Sequence, residues 1–181
     1  GVSSASLGDF DGDGVVDIVV GATGDGDFAG GGAVHIILLN SDHTVKSTSK
    51  IGNTQGGFTG TIQIHDNFGA SVASLGDLDG DGTTDIAVGA FGDDDAATDA
   101  GALYILFLNS DGTVRAEQKI RTGMSGMTSS LGSEHYFGSS IANIGDLNSD
   151  GTIDIAVGSD GNNDGGAKRG AVYIFFLNTD G

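Results

Sequence analysis

Apolar residues in this chain gather in short runs rather than at helical spacing. Ile18-Val19-Val20, Ile86-Ala87-Val88 and Ile155-Ala156-Val157 each follow an aspartate, and longer stretches at Ala33 to Leu39, Ala102 to Leu108 and Ala171 to Leu177 are apolar on both faces. A strand covered on both sides reads as such a continuous run, and a period of about 3.6 residues, which would mark a helix, is nowhere sustained. Small residues precede each triplet, as at Val2 to Leu7, and a more polar, alternating strand follows the first two long runs, at Thr44 to Ile51 and Thr113 to Ile120. The turn Asn109-Ser110-Asp111-Gly112 and its relatives at Asn40 to His43 and Asn178 to Gly181 carry hairpin chemistry. The pattern predicts an all-β chain of four-stranded antiparallel units.

These units are copies of one another. Gly1 to Asp9 matches Gly69 to Asp77 and Gly138 to Asp146, and Gly32 to Asn40 matches Gly101 to Asn109 and Gly170 to Asn178, at offsets of 68 or 69 residues. The single-residue difference falls in the loop before Gly32. A buried third strand and a charged outer strand describe the blades of a β-propeller, with the small first strands at its crowded centre. Lys46, Lys50, Arg115 and Lys119 all lie on the fourth strands, where they read as charges that blunt an exposed sheet edge. The repeat divides residues 1–181 into blade 1 (1–68), blade 2 (69–137) and blade 3 (138–181), the last without its fourth strand. About two and three-quarter blades are spelled out, while a closed propeller needs about four to eight. The chain is therefore expected to be part of a larger ring or to complete one by association, with open blade ends as the contact.

Between the first and second strand of each unit the chain repeats D-x-[DN]-x-D-G-x-x-D. The copies place Asp9, Asp11, Asp13 and Asp17 in the first loop, Asp77, Asp79, Asp81 and Asp85 in the second, and Asp146, Asn148, Asp150 and Asp154 in the third. Such clustered carboxylates repel one another without a cation, and Ca²⁺, which takes six to eight oxygens at about 2.3–2.6 Å, tolerates a short irregular loop better than Mg²⁺ does. The glycine at position 6 (Gly14, Gly82, Gly151) makes the sharp turn that would bring in the carbonyl of Val15, Thr83 or Thr152 as a further ligand. A lone Asp-Gly turn would be no more than a local bend, but three copies at one spacing predict three Ca²⁺ sites. An EF-hand is excluded, because position 12 holds Val20, Val88 or Val157 instead of glutamate and no flanking helix is written.

Composition narrows the partners. The chain has 25 acidic against 7 basic residues and a net charge of −18, which disfavours nucleic acid and anionic membranes, and no apolar span suits membrane insertion. Three bound Ca²⁺ would reduce the net charge to about −12. Sites of this kind bind at about 10⁻⁴ to 10⁻³ M in extracellular modules, which places the expected location outside the cell or on its surface. Cysteine is absent, so no disulfide holds the fold.

The residues resemble the FG-GAP repeats of integrin alpha-chain β-propellers and their bacterial surface relatives. Phe68-Gly69 and Phe137-Gly138 match the FG element, and Gly21-Ala22 and Gly89-Ala90 match the start of GAP, with Thr23 and Phe91 in place of the usual proline and Gly158-Ser159 as a further departure. The resemblance spans essentially the whole chain. It implies structural calcium in the loops between strands 1 and 2, and a protein or glycan ligand on the opposite face, formed by the loops 23–31, 91–100 and 160–169 and the connections 52–67 and 121–136. The implied function is a calcium-binding extracellular adhesion or interaction module of bacterial surface type. Alternatives are a carbohydrate-binding propeller of a larger secreted protein and a self-assembling filament subunit.

No catalytic constellation accompanies these features. His35, His43, His65 and His135 do not recur as a set, and His35 stands where Tyr104 and Tyr173 stand, which suggests packing. Asp25-Gly26-Asp27 and Asp93-Asp94-Asp95 read as solvated acidic loops or further cation sites. Phe58 and Tyr136 read as fillers between blades or as sugar-stacking rings. Glycine is abundant (34 residues), but the nine-residue period of a calcium β-roll is missing.

Overall fold

Each aliphatic triplet becomes the second strand of a sheet, and the strands around it fall in chain order. The structure, a computed structural model, describes residues 1–181 except 26–30, 125–126 and 165. Strands β1 (Ser3–Gly8), β2 (Asp17–Ala22), β3 (Ala33–Leu39) and β4 (Val45–Gly52) form one antiparallel sheet. Strands β5 (Ser71–Gly76), β6 (Asp85–Ala90), β7 (Ala102–Leu108) and β8 (Val114–Ile120) form the second. A third, three-stranded sheet holds β9 (Phe137–Gly145), β10 (Asp154–Ser159) and β11 (Ala171–Phe175). The fold is a partial propeller of three blades whose first strands, β1, β5 and β9, lie side by side. No helix among the described residues is long and apolar enough to cross a membrane.

The doubly apolar third strand explains how the blades hold together. In β7 every residue is buried, and alternate residues serve opposite neighbours. Tyr104, Leu106 and Leu108 join Val34, Ile36 and Ile51 in the core between blades 1 and 2. Leu103, Ile105 and Phe107 join Ile155, Val157 and Phe137 between blades 2 and 3. The equivalent positions of blade 3 face solvent, with Val172 69%, Ile174 44% and Phe176 57% exposed. At about 25 cal/mol per Å² of apolar surface, covering such a face is a large favourable term.

The first strands are small because the hub is made of backbone. Ser3 Oγ donates to the carbonyl of Gly69 at 2.8 Å, and its repeat equivalent Ser71 donates to that of Gly138 at 2.7 Å. A Cβ on Gly89 would lie 2.1 Å from the Gly138 carbonyl oxygen, and one on Gly21 1.9 Å from that of Gly69, so the glycine of the Gly-Ala element is required by close approach. The Phe-Gly pairs sit at the crossings between blades. Phe68 N–H donates to the Gly31 carbonyl of blade 1 at 2.8 Å, while Gly69 N–H donates to the Gly89 carbonyl of blade 2 at 3.0 Å. The Phe68 ring, fully buried, packs 5.3 Å from both Phe58 and Tyr104. Phe137 repeats this role against Tyr173 at 5.4 Å. Phe58 is thus a filler between blades and does not offer a ring to a sugar, and half-buried Tyr136 packs edge-on to Phe91 at 6.0 Å.

The fourth strand of blade 2 differs from the edge-protection reading. The connection leaving blade 1 runs over β8, where Val114 N–H donates to the Gly56 carbonyl at 2.7 Å and Glu117 accepts from Thr59. That stretch of edge is covered by chain, which frees its basic residues for other work. Lys46, Lys50, Arg115 and Lys119 all reach carboxylates at one end of a blade or the other.

Candidate metal centres

The three acidic loops adopt one geometry, set by their own amides. The position-1 carboxylates of Asp9, Asp77 and Asp146 accept from the N–H of Gly14, Gly82 and Gly151 at 2.8–2.9 Å. Position 3 (Asp11, Asp79, Asn148) accepts from the N–H of Asp13, Asp81 and Asp150, and position 5 from the N–H of Val15, Thr83 and Thr152 at 2.8–2.9 Å. Gly82 has φ of 92° and Gly80 of 80°, so the loop makes two left-handed residues rather than the one expected. In the third loop the first of these positions is Ser149, also left-handed at 64°.

Position 9 does more than close a loop. Asp17, Asp85 and Asp154 are fully buried at the starts of β2, β6 and β10. Asp85 Oδ2 accepts from Leu78 N–H at 3.0 Å and Oδ1 from Leu108 N–H at 2.9 Å, which pins the loop to the end of the third strand. Asp17 does the same with Phe10 and Leu39, and Asp154 with Leu147 and Leu177. Burial, reinforced by Asp79 and Asp81, pushes the Asp85 carboxyl up to about 6, while the amides of Leu108 and Leu78 oppose the shift.

The loops fit a hard cation. Oxygens of Asp9, Asp11 and Asp17 all lie within 4.8 Å of one another, as do those of Asp77, Asp79 and Asp85. Oxygens bound to one ion at about 2.3–2.6 Å stand at most about 5 Å apart, so each trio can share one. Every loop side chain in the donor set is a carboxylate or an amide, which suits Ca²⁺ or Mg²⁺ and not a metal that prefers histidine or cysteine. Asp13 and Asp81 stand outside these trios, each with an oxygen turned to a basic side chain. The third loop has only two carboxylates at the corresponding positions, because position 3 is Asn148.

The opposite rim carries a second repeated network. His35 Nε2 lies 2.6 Å from Asp25 Oδ2, so His35 is not simply a packing residue. The equivalent Tyr104 hydroxyl donates to Asp93 at 3.4 Å, and the Tyr173 hydroxyl accepts from Asn162 Nδ2 at 2.8 Å. Lys50 and Lys119 join these loops by pairing with Asp25, and with Asp93 and Asp95. The loop 91–95 is thus an internally paired cluster; residues 26 and 27 of the Asp25-Gly26-Asp27 stretch lie outside the described residues. His43 occupies a left-handed turn position where Gly112 stands in blade 2, and buried His135 faces Asn162 at 3.3 Å.

Asp66, in the connection before Phe68, is 2% exposed, and its Oδ1 has no hydrogen-bond partner among the described residues. Burial raises its carboxyl to about 6, with Asp93 and Asp95 adding to the effect and the Gln63 N–H opposing it. A folded pKa above the unfolded one means that the ionised group destabilises the fold above pH 6, and that this penalty fades as pH falls towards 4. Asp66→Asn is therefore expected to stabilise the protein by about 1–2 kcal/mol at pH 7 and by almost nothing at pH 4. Denaturant melts at the two pH values check this, and an equal effect at both would show that the charge is not the cause.

A family model described as FG-GAP repeat matches residues 1–37, 68–106 and 137–175. Integrin alpha-PS2 of Drosophila melanogaster is 35% identical over 179 residues, 95% of this chain and 11% of the relative. Integrin alpha-V of Gallus gallus is 33% identical over 180 residues, 95% of this chain and 15% of the relative. Integrin alpha-5 of Xenopus laevis is 40% identical over 120 residues, 62% of this chain and 10% of the relative. The chain thus spans only 10% to 15% of the length of these curated relatives.

Proposed function

Because this chain belongs to the FG-GAP repeat family, we propose that it is a calcium-stabilised, extracellular adhesion or protein-interaction module in which Ca²⁺ is structural. It is a binding module and not an enzyme. The observation that carries the reading is the gathering of the position-1, -3 and -9 carboxylates in two loops whose buried aspartate is tied to the third strand. An ion held there would neutralise Asp17 and Asp85 and fasten each loop to its blade. Val15, Thr83 and Thr152 would add their carbonyls, and Asp146, Asn148, Asp150 and Asp154 would form a third site with one charge fewer. An extracellular location supports this use, since weak oxygen sites fill at the millimolar calcium found there and stay empty in the cytosol.

The ligand surface we assign to the rim opposite the calcium loops, and its partner to a protein. A second reading, self-association, is favoured by Val172, Ile174 and Phe176, exposed where their counterparts are buried. Thermal melts in millimolar calcium and in chelator, with mass followed by light scattering, test these readings together. At a tenfold excess over Kd, calcium should add about 1.4 kcal/mol of stability per site. Identical melting curves in the two buffers would refute structural calcium, and a strictly monomeric mass at all concentrations would refute self-association.

A further inference from the structure

Both carboxylate trios have a basic side chain at their mouth, delivered from the same place in the repeat. Lys46 and Arg115 are 69 residues apart, near the starts of β4 and β8. Lys46 Nζ donates to Asp11 Oδ2 at 2.7 Å and to Asp13 Oδ2 at 2.5 Å. Arg115 pairs with Asp79 and, at 3.0 Å, with Asp81, while its guanidinium lies 6.0 Å from the Phe107 ring that backs it.

The oxygens involved are decisive. In Asp11 and Asp13 the Oδ1 atoms accept from loop amides, which leaves Oδ2 as the oxygen without an amide donor and the more open one to an ion. Those are the two atoms that the ammonium holds. In the second loop Asp79 and Asp81 likewise give Oδ1 to amides and Oδ2 to Arg115. In the third loop the matching oxygen of Asp150 accepts instead from Asn148 Nδ2 at 2.8 Å, a neutral donor.

We infer that Lys46 and Arg115 are tethered counter-ions that compete with Ca²⁺ for the outer oxygens of their loops, holding the loops in shape without metal and setting how weakly they bind it. This rests on the calcium reading above. A divalent ion entering the loop must displace the side chain or accept a positive charge beside it, and either outcome weakens binding. Arginine cannot lose its proton and presents a rigid fork, so the second loop is the harder to fill.

The test is a calcium titration of the whole chain followed at the amides of Gly14, Gly82 and Gly151, which report the three loops separately. Arg115→Met, which keeps an apolar stem on Phe107, should tighten calcium at the second loop on the order of tenfold and leave the first and third unchanged. Lys46→Met should do the same at the first loop alone, and Arg115→Lys should keep the wild-type affinity within a few-fold. Without calcium, both methionine variants should melt below wild type. If the wild type binds calcium but a methionine variant binds no more tightly at its own loop, or binds more weakly, the side chain is not a competitor and this inference fails alone. If no loop binds calcium in any variant, the inference and the calcium reading fail together.

Discussion

Replacing Asp85 by alanine is expected to cost about 3–5 kcal/mol even in chelator, because it strands two buried amides, those of Leu78 and Leu108, that have this carboxylate as their acceptor. Each unsatisfied buried donor costs about 1–3 kcal/mol. In a chain of this size the loss corresponds to a fall of about 10 °C or more in melting temperature. Calcium should widen the gap, since the variant also lacks a ligand of the second loop. Asp85→Asn keeps an acceptor for one amide and should fall between the two, while its neutral side chain escapes the penalty of a buried carboxylate. A chelator melt within about 1 kcal/mol of wild type would mean that the pin between loop and third strand is not structural.

Gly89→Ala is expected to have an effect at least as large, by a steric route. The added methyl would meet the Gly138 carbonyl oxygen at 2.1 Å and Ser71 Oγ at 2.3 Å, and Ser71 is itself committed to that carbonyl. One of these contacts is backbone, so no rotamer change relieves the clash and blades 2 and 3 must separate at the hub. Overpacking in a tight core costs about 1–3 kcal/mol, and contact with main chain at this distance belongs at or beyond the upper end. Gly80→Ala makes a useful comparison, because nothing lies within 4 Å of its Cβ and only its left-handed φ of 80° opposes the change. Chemical denaturation of the two variants checks the ordering, and equal losses would show that the hub yields more readily than its geometry implies.

The strand plan was legible because it is local. Alternation, doubly apolar runs and turn residues each act over a few positions, and β3 lies where the run Ala33 to Leu39 places it. The acidic loops were legible for the same reason, down to the left-handed glycine at position 6. What the chain did not show is what distant residues do after folding. Asp17 reads as one more ligand, yet its second task, accepting from Leu39, spans 22 residues and depends on the register of β2 with β3. Lys46 reads as an edge charge because the loop it serves lies 33–35 residues earlier and comes alongside only when β4 pairs with β3. His35 reads as packing because its acid, Asp25, lies 10 residues earlier in the chain and no local pattern pairs the two. Repetition did contain a hint. Lys46 and Arg115 recur at the spacing of the acidic loops, and a positive charge that recurs in step with negative ones is a pairing signal.

The seating of Phe68 and Gly69 carries a consequence for how this molecule comes apart. One peptide bond joins a residue hydrogen-bonded to the earlier blade with a residue hydrogen-bonded to the later one, and the phenyl ring fills the seam between them. The boundary seen by counting repeats is therefore a point that both blades share. Loosening either neighbour withdraws that ring from both, so the cooperative unit is larger than a single repeat.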